Sequence, residues 1–213
     1  MSMKIGIPGA SLDTGNYGVN ALAEASVKCL LERWPEAEFV FLASGRTQKT
    51  CQVHIGDRCY DIPNLPIRFC RNVFLKNHYI VLLLTGFFLK VFGWPRMQAL
   101  AARRNPYIRE ILSLDRVADI TGGDSFTDLY GVRRFVQGGL VKFLWTVYDK
   151  PLYYLPQTYG PFKRRWVKAT AKYLLAKASA ICCRDKEGYH SVCRMFGNRP
   201  QIQQRVSFVP DVG

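Results

Sequence analysis

Short, largely apolar runs recur along the chain, and most are followed by a stretch long enough for a helix. Residues 4–8, 39–43, 117–120, 152–155, 180–183 and 206–209 are such runs. A strand with one wet face alternates apolar and polar side chains, whereas a strand buried on both faces reads as a continuous apolar run. Between the runs, Leu22, Val27, Leu30, Leu31 and Trp34 fall near helical spacing in a segment that Asn20 can cap and Pro35 can end. Residues 135–148, 166–178 and, after Arg184-Asp185, the segment to about residue 196 read as further helices. The alternation predicts an α/β protein with a Rossmann-like, mostly parallel sheet and helices on both faces. With 213 residues, 48% of them hydrophobic, the chain supports one sizeable core, expected as a single domain over residues 1–213. Residues 44–75 are less regular. Apolar pieces at 53–55 and 67–69, separated by Pro63 and Pro66, predict two short strands there.

Ligands of open α/β sheets bind outside the carboxyl ends of the strands, so the loops after the apolar runs are the candidate site. Residues 9–18 include Asp13-Thr14-Gly15-Asn16-Tyr17-Gly18 between a strand and a helix. Glycine lets backbone approach a ligand and a helix N-terminus favours an anion, although a plain turn fits the pattern equally well. The glycine spacing is not that of a dinucleotide fingerprint, and there is no P-loop lysine. Thr121-Gly122-Gly123-Asp124-Ser125 follows the run 117–120; Asp124 can take a proton or a sugar hydroxyl hydrogen bond, or cap the next segment. Pro156-Gln157-Thr158-Tyr159-Gly160-Pro161-Phe162 follows 152–155, and the Gln157 amide both donates and accepts, which suits sugar hydroxyls as well as a structural turn. Arg184 follows 180–183 and offers a fork for carboxylate or phosphate, or a salt bridge to Asp185 or Asp211. The candidate substrate-binding residues are therefore Asn16, Tyr17, Gly18, Gly123, Asp124, Gln157, Thr158 and Arg184. His54, His78 and His190 are remote from one another in sequence, and no metal-ligand or Ser-His-Asp spacing occurs, so neither metal nor cofactor is expected and no catalytic residue is assigned.

The formal net charge is +14. Nucleic acid, an anionic membrane surface and small anionic substrates are the partners such a charge suits. No nucleic-acid module or aromatic single-strand platform is recognisable, so no nucleic acid is expected. Seven cysteines without zinc spacing, and an N-terminus that leads straight into a strand, predict a reducing, cytoplasmic setting. Residues 79–94 are strongly apolar but interrupted by Lys90 and too short to span a bilayer. They read either as a core helix or as one that dips into a membrane surface, flanked by Lys76, Lys90 and Arg96 with Trp94 at its end.

Taken in order, the loop 9–18, Gly122-Gly123-Asp124-Ser125 with Asp128 and Tyr130-Gly131, residues 156–162, Arg184-Asp185 and Val209-Pro210-Asp211 make the chain resemble the polysaccharide pyruvyl transferase family. The resemblance implies two Rossmann-like lobes facing a cleft, as in glycosyltransferases of the B type, with this chain as the N-terminal lobe. It implies transfer of the enolpyruvyl unit of phosphoenolpyruvate to a glycan or lipid-linked sugar acceptor in cell-surface polysaccharide synthesis, at the inner face of the plasma membrane. In the family much of the donor site lies in the C-terminal lobe. The expectation is that this chain alone is inactive and that a second lobe or subunit completes it. A sugar-nucleotide glycosyltransferase and a non-catalytic interaction module are the alternatives.

Overall fold

The computed structural model describes residues 2–10, 17–120 and 126–209. The strands are β1 (Lys4–Pro8), β2 (Glu38–Ser44), β3 (Lys49–Ile55), β4 (Arg58–Ile67), β5 (Arg116–Asp119), β6 (Leu152–Gln157), β7 (Ala180–Cys183) and β8 (Val206–Phe208). The helices are α1 (Tyr17–Arg33), α2 (Tyr79–Phe92), α3 (Pro95–Arg104), α4 (Pro106–Ser113), α5 (Val132–Val147), α6 (Arg165–Ala176), α7 (Lys186–Met195) and the short α8 (Pro200–Gln203). One sheet of eight strands runs in the order β3-β4-β2-β1-β5-β6-β7-β8. Every neighbouring pair is parallel except β3 and β4. The expected α/β sheet is thus the observed one.

The apolar runs are apolar because both sheet faces are covered. Val40 and Leu42 of β2 belong to one buried cluster, while Phe39 and Phe41 belong to another. In β5, Val117 and Ala118 divide in the same way. Side chains alternate across a strand, so the two clusters lie on opposite faces. α1 covers one face through Leu22, Ala23, Val27 and Leu30. Buried residues of α2, α4, α5, α6 and α7 belong to the other cluster.

Three expectations change. Asn20 does not cap α1, because the helix already includes Tyr17 and Asn20 lies within it. The irregular region forms a hairpin of two full strands, and β4 runs through both Pro63 and Pro66. Proline is tolerated in a strand that is paired on one side only. β4 pairs with β3 over residues 58–64 and with β2 over residues 64–67, so Pro63 and Pro66 each sit where one side of the strand is unpaired in its ladder. The third change concerns the apolar helix. Tyr79, Leu82, Gly86 and Leu89 of α2 are buried, whereas Ile80, Leu84, Phe87, Phe88 and Val91 are exposed. α2 is a core helix along one face only.

Contacts with α5 and its C-terminal end hold that buried face. The Tyr79 hydroxyl donates to the Leu140 carbonyl (2.8 Å), and the Tyr148 hydroxyl donates to the Leu82 carbonyl (2.8 Å). Gly86 allows the approach: a Cβ there would sit 2.5 Å from the Tyr148 ring. His78 caps the helix, its Nδ1 accepting from the Ile80 amide (3.2 Å), and Gly93 closes it in the left-handed conformation at φ 56°. The buried histidine is accounted for by this capping role.

Candidate functional site

In the sheet order, β1 is where the direction of winding reverses. β2 and β4 lie on one side of it, β5 to β8 on the other. The crevice outside the carboxyl ends of β1 and β5 is the topological switch point, where open α/β sheets bind ligands. β1, β5 and β6 are parallel, so the chain leaves each of them at the same edge. Those exits lead to the three loops singled out from sequence. Asn16, Gly123 and Asp124 lie outside the described residues.

A cleft of about 1030 Å³ opens at this edge. Gly9 and Ala10 line it after β1, Arg46 between β2 and β3, Lys49 at the start of β3, Arg68 after β4, Asp119 at the end of β5 and Lys142 from α5. Of these, Arg46 and Lys49 are exposed and Arg68 is half-buried. The only carboxylate among the described lining residues is Asp119, and it is engaged by Lys142. Arg46, Lys49 and Arg68 thus bring positive charge to the wall of the cleft.

The Asp119–Lys142 pair was not singled out from sequence. Both side chains are only 1% exposed, and the Lys142 ammonium donates to Asp119 Oδ1 and Oδ2, each at 3.0 Å. The ammonium also lies 5.0 Å above the Phe126 ring and 5.4 Å above that of Tyr154, on the electron-rich faces. Burial pulls the Lys142 pKa below its ordinary value, and the Asp119 charge and hydrogen bonds offset part of that fall. A sequence signal for the pair exists: Lys142 is the one charge in the run 135–147, and Asp119 ends a buried strand.

The remaining expected site residues fall in two places. Tyr17 and Gly18 open α1 and are exposed. Gln157, Thr158 and Arg184 cluster at the ends of β6 and β7. Gln157 is fully buried, and its amide donates to the Asp119 carbonyl at 3.4 Å, which ties β6 to the end of β5. The Gln157 side chain thus braces the sheet edge below the cleft, rather than lining it as a hydroxyl contact would. Its Oε1 has no hydrogen-bond partner among the described residues. Arg184 Nε donates to Thr158 Oγ1 at 3.0 Å, joining the loops after β6 and β7. Asp185, read beside Arg184 as a salt-bridge partner, instead caps α7 by accepting from the Gly188 amide at 2.6 Å. Burial pushes the neighbouring Cys183 thiol up to about 12, so it is no thiolate at neutral pH.

Much of both motifs locks the two loops together. Thr127 donates its hydroxyl to the Pro161 carbonyl (2.7 Å), and the Gly160 amide donates to the Phe126 carbonyl (3.1 Å). The Asp128 carboxylate accepts from the Lys163 and Arg164 amides, at 2.9 and 3.1 Å, just before α6. Desolvation raises the Asp128 pKa, but those two amides and the Arg164 charge outweigh it, and the value falls below the ordinary 3.8. A carboxyl with a depressed folded pKa stabilises above its unfolded value and loses that contribution as pH falls through the folded one. The stability difference between the wild type and Asp128→Asn should therefore be constant above about pH 5 and shrink below about pH 4. Urea unfolding across that range checks it; a difference that grows on acidification would contradict the capping role.

Among the described residues no three His, Cys, Asp or Glu side chains gather to hold a metal. The class so defined is a Rossmann-like α/β protein with a cationic cleft at its switch point. A family model described as polysaccharide pyruvyl transferase matches residues 16–213, and the chain belongs to that family of transferases. No curated protein matches the chain with significance.

Proposed function

We propose that the chain acts in pyruvyl transfer from phosphoenolpyruvate to a sugar hydroxyl of a cell-surface polysaccharide precursor, on the cytoplasmic side of the membrane, and that its switch-point cleft receives the acceptor. The reaction makes two demands. One acceptor hydroxyl adds to C2 of phosphoenolpyruvate while the methylene carbon takes up a proton. A second hydroxyl then displaces phosphate, so that two C–O bonds form, one breaks and a cyclic ketal results. The protein must hold two hydroxyls in register and balance the negative charge of both substrates.

The observation that carries the reading is the group Arg46, Lys49 and Arg68 on one cleft, beside the residues that lead into both glycine-bearing loops. Guanidinium and ammonium groups suit a phosphate that carries the acceptor sugar. Asn16, Tyr17, Gly18, Gly123, Asp124 and Thr158 are the proposed contacts to sugar hydroxyls. Arg184 assists with an anionic group from the neighbouring strand end. Gln157 acts from beneath, holding the Asp119 backbone from which the second loop departs.

Steady-state kinetics on the active protein separates acceptor from donor. Arg68→Ala removes a charge-assisted contact of roughly 1.5–3 kcal/mol, so the acceptor KM should rise about 10- to 150-fold. The phosphoenolpyruvate KM should stay within about threefold, less than roughly 1 kcal/mol. A variant that shifts only the donor constant would place phosphoenolpyruvate in this cleft and overturn the assignment.

A further inference from the structure

The outer face of α2 has a geometry that packing inside this chain does not explain. Ile80, Leu84, Phe87, Phe88 and Val91 follow one another at helical spacing along a single stripe, opposite the buried Tyr79, Leu82, Gly86 and Leu89. Leu84 is 62% exposed, Phe87 60% and Val91 60%. Trp94, just past the helix, is 66% exposed, and Phe74, ahead of it, 89%. Scattered exposed apolar residues are ordinary, but a contiguous stripe of this kind marks a contact surface.

The surrounding sequence says what the surface meets. No Asp or Glu occurs between Asp61 and Glu110, while Arg68, Arg71, Lys76, Arg96, Arg103 and Arg104 stand in that interval. Arg71, Lys76, Arg96, Arg103 and Arg104 are exposed, and none of them pairs with a carboxylate among the described residues. α3, which carries Arg96, Arg103 and Arg104, has no buried residue and follows α2 directly. α2 itself is too short to cross a bilayer: its 14 residues span about 21 Å against a hydrocarbon core of roughly 30 Å. No helix among the described residues is long and apolar enough to cross a membrane.

From this combination we infer that α2 lies in the surface of an anionic bilayer. Its stripe of Leu, Phe and Val sits at the acyl boundary, Trp94 lies at the headgroup level, and the basic residues on either side meet lipid phosphates. A basic flank with no carboxylate partner among the described residues is the complement of an anionic leaflet; a purely apolar partner surface would leave those charges unused. The docking also brings the cleft to the membrane. Arg68 lines the cleft, and its carbonyl accepts from the Tyr79 amide at the start of α2 (2.9 Å).

The test is co-flotation of the intact protein with vesicles of phosphatidylcholine, with and without phosphatidylglycerol, at low and raised salt. Binding should require phosphatidylglycerol and weaken with salt, since exposed charges are screened over about 8 Å at physiological ionic strength. Leu84→Asp with Phe87→Asp changes only exposed positions, so the fold should survive, as circular dichroism and the melting temperature will report, and flotation should be lost. Arg96→Gln, Arg103→Gln and Arg104→Gln together should weaken binding roughly a hundredfold, at about fivefold for each cation. Absence of flotation with phosphatidylglycerol, or flotation unchanged in the Leu84→Asp/Phe87→Asp variant, overturns the inference. So does a dimer in sedimentation velocity that this variant dissociates, because the stripe would then be an interface between two copies.

Discussion

Replacing Lys142 with methionine should destabilise the protein by about 3–5 kcal/mol, out of a total of roughly 5–15 kcal/mol for a domain. The methionine fills most of the volume and keeps the contacts over Phe126 and Tyr154, so the loss comes from charge. It removes the ammonium that both Asp119 oxygens face at 3.0 Å, in a site where each partner is 1% exposed. The second variant that decides the matter is Asp119→Asn with Lys142→Met. Neutralising both partners together should restore most of the loss, since a buried pair exchanged for neutral groups of similar volume is close to energetically even. Denaturant midpoints with unchanged slopes give the measurement. If the double variant is as unstable as the single one, the cost is packing and the pair has no electrostatic role.

The second large effect is expected at Phe126. Its ring is 1% exposed and stands 5.8 Å from Phe135, 6.0 Å from Tyr154 and Tyr159, and 5.9 Å from Phe162, centroid to centroid. It is the apolar centre under both loops and the surface over which the Lys142 ammonium sits. Phe126→Ala should cost about 3–5 kcal/mol through lost burial and the cavity it leaves. At this chain length that lowers the melting temperature by about 6–20 °C. Activity should fall with it even well below the melting temperature, because the lost ring packs on Tyr159 and Phe162 of the second motif. Phe126→Leu should lose less of both. A shift of under about 2 °C for Phe126→Ala would mean that the cluster repacks and does not hold the loops.

Most of the sheet was legible in the sequence because burial on both faces leaves nothing for a polar side chain to do. The run 180–183 became β7 with unchanged bounds, and Val117 and Leu152 both entered the core as expected. The hairpin of β3 and β4 was only partly legible, because two prolines read locally as breaks and are permitted by an exchange of pairing partners visible only in the sheet. The site divides along the same line. Residue types could say where loops leave the strands, since strand ends share one edge in a parallel sheet. They could not say which polar motif residues face inward. Gln157 reads as a sugar ligand on chemistry alone, yet its amide meets a backbone carbonyl within the chain, and Asp128 and Asp185 of the neighbouring motifs likewise accept from backbone amides. Lys142 was hidden for the opposite reason: a lysine is expected in water, and its burial follows from the Asp119 carboxylate across the fold and the rings of Phe126 and Tyr154. The cations of the cleft come from two segments, Arg46 and Lys49 in one and Arg68 in the other, which a linear reading does not bring together.

The proposed role in pyruvyl transfer through the switch-point cleft can be read from the ketal-linked pyruvate content of the surface polysaccharide, measured by proton magnetic resonance in cells that lack the gene. The signal should vanish in the deletion strain, return with the wild-type gene, and return only weakly with a gene carrying Arg46→Ala, Lys49→Ala and Arg68→Ala at equal protein level. Undiminished ketal pyruvate in the deletion strain would rule out the proposed role, and full recovery with the triple variant would rule out the cleft.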